Sequence, residues 1–246
     1  MFVKTSCIVL HRFAYSDSSW IIKALTQECG ILSFILKGGK GAKAPFKGIL
    51  DPLSLSEIVF RQSPKAELLF VKEANLLDWH TKLRENLLSQ AKAQVMAEIL
   101  LRYAPQGVPL NDEFSLFANA LNSFDQEEGG VFAQWLLDTC DLWGYQLDLS
   151  TCSHCEKPLS KPAKDFHPES GGLICETCHG SETTRAKPET MLGLWHTHQK
   201  IYNIDEQNLV ENALLSYLRN HIGFLKEIHS LQWLQEGRKL CSAPST

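Results

Sequence analysis

The sequence predicts an α+β, multidomain chain: a small closed β-barrel over residues 1–80, followed by an all-α helical region over 81–246 that a four-cysteine hairpin interrupts at 150–185. Three observations carry this. Short β-rich runs crowd the first third and are punctuated by Gly and Pro. After Leu77, apolar residues recur at helical spacing. Finally, four of the eight cysteines fall within 27 residues. With 246 residues, 44% hydrophobic and 21% charged, the chain can bury real cores, and dominant disorder is excluded.

The predicted strands are Cys7 to Leu10, Trp20 to Thr26, Ile31 to Leu36, Leu53 to Phe60 and Glu67 to Val71. Gly30, Gly38, Gly39, Gly41, Pro52 and Pro64 separate them, which suits a small barrel better than a sandwich. Glu28, Cys29 and Gly30 form the first tight turn. Leu87, Ala91, Val95 and Ile99 then mark one face of a helix that must stop near Pro105. Further helices are predicted at Asp112 to Phe124, Val131 to Tyr145 and Pro188 to Ile201. A last one begins with Leu209 and carries Leu214, Leu218, Ile222 and Leu225, and Cys241 to Thr246 reads as a frayed tail. Residues 81–151 and 186–240 are expected to make one helical bundle.

No apolar run approaches the roughly 18 residues of a membrane span, and Lys4, His11 and Arg12 break the N-terminal stretch, so neither a secretory signal nor a membrane anchor is expected. The formal charge of -4 argues at first against a polyanionic partner. Its distribution points the other way. Residues 1–80 hold ten Lys and Arg against seven Asp and Glu, leaving fourteen against twenty-one in the remainder.

Cys152-x-x-Cys155, nineteen intervening residues and Cys175-x-x-Cys178 have the spacing of a four-thiolate zinc site. Each pair presents two sulfurs from one tight turn, and four thiolates close a tetrahedral shell without the open position a catalytic zinc needs. The expected ion is therefore structural Zn2+ in a reducing cytosol, with Cys7, Cys29, Cys140 and Cys241 scattered elsewhere. Paired redox motifs are the competitor, but they lack a strand-to-helix setting. His154, His167 and His179 read as solvated loop histidines.

The segment from Leu36 to Lys47 holds Lys37, Lys40, Lys43 and Lys47 and no acid. It matches neither glycine-rich nucleotide fingerprint. A cationic loop beside a small barrel with exposed rings suits single-stranded nucleic acid, because lysines track phosphates while rings stack on bases. Arg12, Lys23, Arg61 and Lys65 extend the cationic set; Phe13, Tyr15, Trp20 and Phe46 are the candidate rings. On composition alone a solvated lysine surface accounts for the same loop, and Trp20 at the head of a strand equally suits the core.

The order of parts resembles the RecO family of DNA repair and recombination mediators. The resemblance rests on Tyr15-Ser16-Asp17 before the second strand, Leu25-Thr26-x-x-x-Gly30 in the hairpin and Lys37-Gly38 after the third strand. Leu50-Asp51-Pro52-Leu53 leading into the fourth strand, Glu73-Ala74-x-Leu76, the paired Cys-x-x-Cys hairpin and Tyr217-Leu218-Arg219-Asn220-His221 follow in the same order. It implies an OB-fold barrel and a bacterial, cytoplasmic, nucleoid-associated protein without enzymatic activity. Such a protein binds single- and double-stranded DNA and anneals complementary strands. With a RecR-type partner it helps load recombinase onto DNA coated by single-strand-binding protein. The acidic, apolar C-terminal tail of that coating protein would need an apolar wall with a basic rim, for which Arg102, Arg219 and Lys226 are the candidates, beside Leu218, Ile222 and Leu225.

The alternative is a zinc-ribbon transcription or translation accessory factor that reads nucleic acid through its cysteine hairpin. Lys157, Lys161 and Lys164 are balanced there by Glu156, Asp165 and Glu169, whereas a nucleic-acid-reading ribbon should be basic. A metallohydrolase is disfavoured because neither His-Glu-x-x-His nor His-x-Glu with Pro-Cys-x-x-Cys is present.

Overall fold

The structure is a computed structural model that describes residues 1–41, 43–63, 66–167, 172–180, 186–222 and 228–242. Five strands form its N-terminal sheet: β1 (Phe2–Ala14), β2 (Trp20–Thr26), β3 (Gly30–Leu36), β4 (Leu55–Arg61) and β5 (Leu69–Asp78). They close into a barrel in the order β1-β2-β3-β5-β4, with β1 antiparallel to both β2 and β4 and β3 parallel to β5. This is an OB-like arrangement. The long β1 is what allows closure, because one end pairs with β2 from Cys7 onward while the other pairs with β4 from Phe2 to Ile8.

Cys7 to Leu10 are all buried, without the alternation of a one-sided strand. Cys7 and Val9 belong to the barrel core, and helix α2 (Leu87–Tyr103) packs against the same strand. A register shift between Val9 and His11 then re-aims the strand toward solvent. Inside the barrel, Phe34 and Phe60 meet edge to face with centroids 5.3 Å apart, both fully buried. Gly30 takes φ +69 at the β2–β3 turn, where a Cβ would lie 2.2 Å from the Val108 carbonyl oxygen, so no larger residue fits. The Thr26 hydroxyl donates to the Gly30 carbonyl at 2.6 Å and closes that turn.

Beyond the barrel the described helices are α1 (Thr81–Glu85), α2, α3 (Asn111–Asp125), α4 (Val131–Leu142), α5 (Pro188–His198), α6 (Ile204–Ile222) and α7 (Ser230–Ser242). They do not form a single body. One compact unit contains residues 1–127 with 228–246, so α1, α2, α3 and α7 go with the barrel. The other contains residues 128–227, where α6 packs on α4 and α5, and where the cysteine hairpin carries the short strands β6 (Asp165–His167) and β7 (Gly172–Ile174). No helix among the described residues is long and apolar enough to cross a membrane.

Several sequence-based boundaries move. β5 runs on to Asp78 because β4 pairs with it as far as Leu55↔Asp78. Helices α4 and α5 end at Leu142 and His198, before the expected Tyr145 and Ile201; after α5, Lys200 takes a left-handed φ of 61 that turns the chain. The largest difference is α7, which incorporates Cys241, expected in a frayed tail. Its N-terminus is capped from far away: the backbone N–H groups of His229 and Ser230 donate to the Glu98 carboxylate at 3.2 and 3.0 Å.

Candidate nucleic-acid interface and metal centre

The cysteine hairpin is built from two matching turns. Glu156 N–H donates to the Cys152 carbonyl at 2.8 Å, and His179 N–H to the Cys175 carbonyl at 2.9 Å, so each Cys-x-x-Cys curls around one point. The Thr151↔Pro158 bridge and the β6–β7 pair bring the turns together, with Ser153 N–H donating to the Leu173 carbonyl at 2.9 Å. The four sulfurs of Cys152, Cys155, Cys175 and Cys178 consequently lie within 4.8 Å of one another, with Cys155 and Cys175 at 3.9 Å. Four metal–sulfur bonds of about 2.3 Å in a tetrahedron require sulfur separations of about 3.8 Å, so the cluster could hold a metal ion.

The electrostatics agree. Burial opposes ionisation of Cys152, but backbone N–H groups of Cys175, Cys155 and His154 outweigh it and hold its pKa at about 6. Cys175 N–H lies 3.4 Å from that sulfur. Cys178 is pushed the other way, to about 12, by hydrogen bonds with the Cys155 and Cys175 sulfurs. Thiols that share protons in this way release them when a cation binds. Among the neighbouring histidines, His167 is not a plain solvated residue: its Nε2 lies 2.9 Å from the carboxylate of the fully buried Asp165.

The lysine segment after β3 is a succession of turns pinned to the barrel. Gly39, Gly41, Ala44 and Lys47 each donate a backbone N–H to the residue three back, and Lys40 N–H donates to Ser18. Gly39 is required here, since a Cβ would meet Trp20 Cδ1 and the Leu36 carbonyl oxygen at 2.9 Å. The half-buried Trp20 ring thereby receives two cations, Arg12 at 5.0 Å and Lys40 at 5.1 Å from its centroid. Arg12 also forms an ion pair with Asp51, which ties the end of the lysine segment down. Lys37, Lys43, Lys47 and Arg61 are exposed. Phe46, expected as a stacking ring, instead packs against the barrel core at φ 65. Phe13 stacks on His11 with centroids 5.9 Å apart, Tyr15 is exposed, and Lys65 lies outside the described residues.

Two rings outside the predicted set also lie beneath cations on the barrel. Phe70 is 52% exposed beneath Lys37, and Phe2 is 57% exposed beneath Lys72, each with 5.0 Å between cation and centroid. Strand register makes them neighbours of the predicted cations: Phe70 pairs with Ile35 two residues before Lys37, and Phe2 pairs with Arg61. Phe2 lies before the run read as the first strand, whereas Phe70 falls within the run Glu67 to Val71, where only the register shows which cations it neighbours.

The remaining predicted residues sit elsewhere. Lys23 lies on β2 opposite His11 and Ser33. Arg102 belongs to the first compact unit and donates to Glu98 at 2.9 Å, whereas Arg219 is exposed on α6 in the second. Lys226 and Leu225 lie outside the described residues, and Leu218 is fully buried core.

The chain matches two family models: recombination protein O N terminal over residues 1–80 and recombination protein O C terminal over 84–232. It is 26% identical over 246 residues to the DNA repair protein RecO of Syntrophobacter fumaroxidans, covering 95% of this chain and 97% of that one. It is 22% identical over 244 residues to that of Dehalococcoides mccartyi, covering 96% of each. With that of Rhodopirellula baltica it shares 27% identity over 182 residues, 72% of this chain and 67% of the relative. A closed β-barrel leading into helices, matched along both parts by these models, identifies the chain as a member of the RecO family of DNA repair proteins.

Proposed function

We propose that this protein is a non-enzymatic DNA repair and recombination mediator. Its OB-fold barrel binds single- and double-stranded DNA and anneals complementary strands. With a RecR-type partner, it helps load recombinase onto DNA coated by single-strand-binding protein. The observation that carries the reading is the set of cation–ring pairs on the barrel, Arg12 and Lys40 on Trp20, Lys37 on Phe70 and Lys72 on Phe2. Rings offer sequence-tolerant stacking surfaces, and lysines displace counterions from phosphates. Annealing needs no reacting group: a cationic surface lowers repulsion between two backbones, and base pairing supplies the free energy.

The four cysteines hold structural Zn2+ in this reading, bracing the hairpin without taking part in a reaction. For the acidic tail of single-strand-binding protein, the exposed Arg219 is the better described candidate, since Arg102 is already engaged by Glu98. Lys226 remains the third proposed contact.

The test uses two complementary oligonucleotides coated with cognate single-strand-binding protein at low salt. The protein should accelerate their annealing and bind the coated strand; failure at both overturns the mediator reading.

A further inference from the structure

The barrel unit also contains a cavity whose lining includes none of the barrel's cation–ring pairs. It lies between β1 and β2 on one side and α2 and α7 on the other, with a volume of about 510 Å³. That is within the usual range for small-ligand sites, roughly 300–1,000 Å³.

Its chemistry is specific. The one acid in the lining, Glu98, is fully engaged: it accepts from Arg102 Nε at 2.9 Å, from the Ser230 hydroxyl at 2.7 Å and from the backbone N–H groups of His229 and Ser230. Lys23 therefore supplies the uncompensated charge, with the imidazoles of His11 and His229 beside it. Trp233 stands at the cavity with 68% of its surface exposed, an unusual position for the largest apolar side chain. Two carboxamides, Gln94 and Gln232, complete the polar lining. A carboxamide offers a donor and an acceptor side by side, the pattern that pairs with the edge of a base. An acidic peptide would match the charge but leave those amides without a role. A nucleotide uses all three: base plane on Trp233, base edge on the amides and phosphate at Lys23.

We propose that this cavity is a second DNA site, distinct from the cation–ring pairs, which receives one unpaired nucleotide of single-stranded DNA. The inference rests on the reading that the chain binds DNA. Its consequence is discrimination, because a base in a duplex is stacked and paired and must be extruded before it can enter. His11 and Phe13, stacked on one another along β1, continue a row of rings outward from the cavity.

The experiment follows binding of a thymine-tract oligonucleotide carrying one fluorescent purine analogue, and of the matching duplex, to the full-length protein. Trp233→Ala and Lys23→Glu are the variants; Trp233 is exposed and Lys23 half-buried. The parent should change the analogue's emission on binding. Trp233→Ala should abolish that change and weaken single-strand affinity by about 5- to 150-fold, as expected for loss of one base–ring stack, with duplex affinity unchanged. Lys23→Glu should weaken single-strand binding while retaining the emission change at saturation. If Trp233→Ala binds the single strand with the parent's affinity and emission, the cavity is not a nucleotide site, although the protein still binds DNA. If an acidic, phenylalanine-ended peptide occupies the cavity in a Trp233-dependent manner and the oligonucleotide does not compete, the occupant is a peptide and the proposal falls. A parent protein that binds no DNA at low salt removes the proposed function itself.

Discussion

Replacing Cys175 by serine tests how the hairpin is held. Its two strands have three residues each, and its own apolar anchors are Phe166, Leu173 and Ile174. Burying each contributes about 2 kcal/mol, or roughly 6 kcal/mol together. Ordering a hairpin of this length costs more, since each residue fixed costs about 1–2 kcal/mol. Structural zinc supplies about 10–16 kcal/mol in comparable small sites, so coordination, rather than the anchors, decides whether the hairpin folds. Cys175→Ser should abolish stoichiometric metal binding. It should also deprotect the Ser153 and Lys164 amides, which donate to Leu173 and Ile174. Barrel amides should keep their protection, and Cys241→Ser, at an exposed position outside the cluster, should leave metal and protection intact. Metal analysis combined with native-state hydrogen exchange reads both effects. Less than about half an equivalent of metal in parent protein purified without chelator, or a hairpin that stays protected after chelation, would refute the reasoning.

Two further outcomes follow from packing. Phe60→Ala removes one partner of the buried Phe34–Phe60 contact and should cost about 3–5 kcal/mol in denaturant unfolding of the barrel unit; a change below about 1 kcal/mol would contradict a close-packed core. Burial raises the Glu98 pKa, but the hydrogen bonds from Ser230, His229 and Arg102 prevail and hold it below the usual value. A carboxylate depressed in this way stabilises the fold at neutral pH, and that contribution is lost as pH falls through its folded value. Glu98→Gln should therefore cost about 1–3 kcal/mol at neutral pH and make little difference in strong acid, and equal destabilisation at both would show that its charge is irrelevant.

Much of the fold was legible because local pattern and tertiary need coincide. The apolar spacing through Ala91, Val95 and Ile99 does mark the buried side of α2, although Leu87 at its start is exposed, and the Cys-x-x-Cys pairs do converge. What escaped the sequence was set by distant partners. The start of α7 depends on Glu98, more than a hundred residues away, and no local residue announces it. The division of the helices into two units follows from α2 packing on both β1 and α7, which periodicity cannot express. Phe46 looked like a free ring beside lysines, yet the chain turns it back onto the barrel core, while Phe2 and Phe70 are exposed at strand starts that only register places beside the cations.

Salt dependence of single-strand binding tests the central claim most directly. The affinity of the parent should fall linearly with salt on logarithmic axes, with a slope of about -0.7 for each phosphate neutralised. Reversing Lys37, Lys40, Lys43 and Lys47 to glutamate should flatten that slope by roughly 3 while metal content and unfolding remain those of the parent. Binding by the variant with the parent's affinity and slope would contradict the assignment of the DNA interface to the lysine segment after β3.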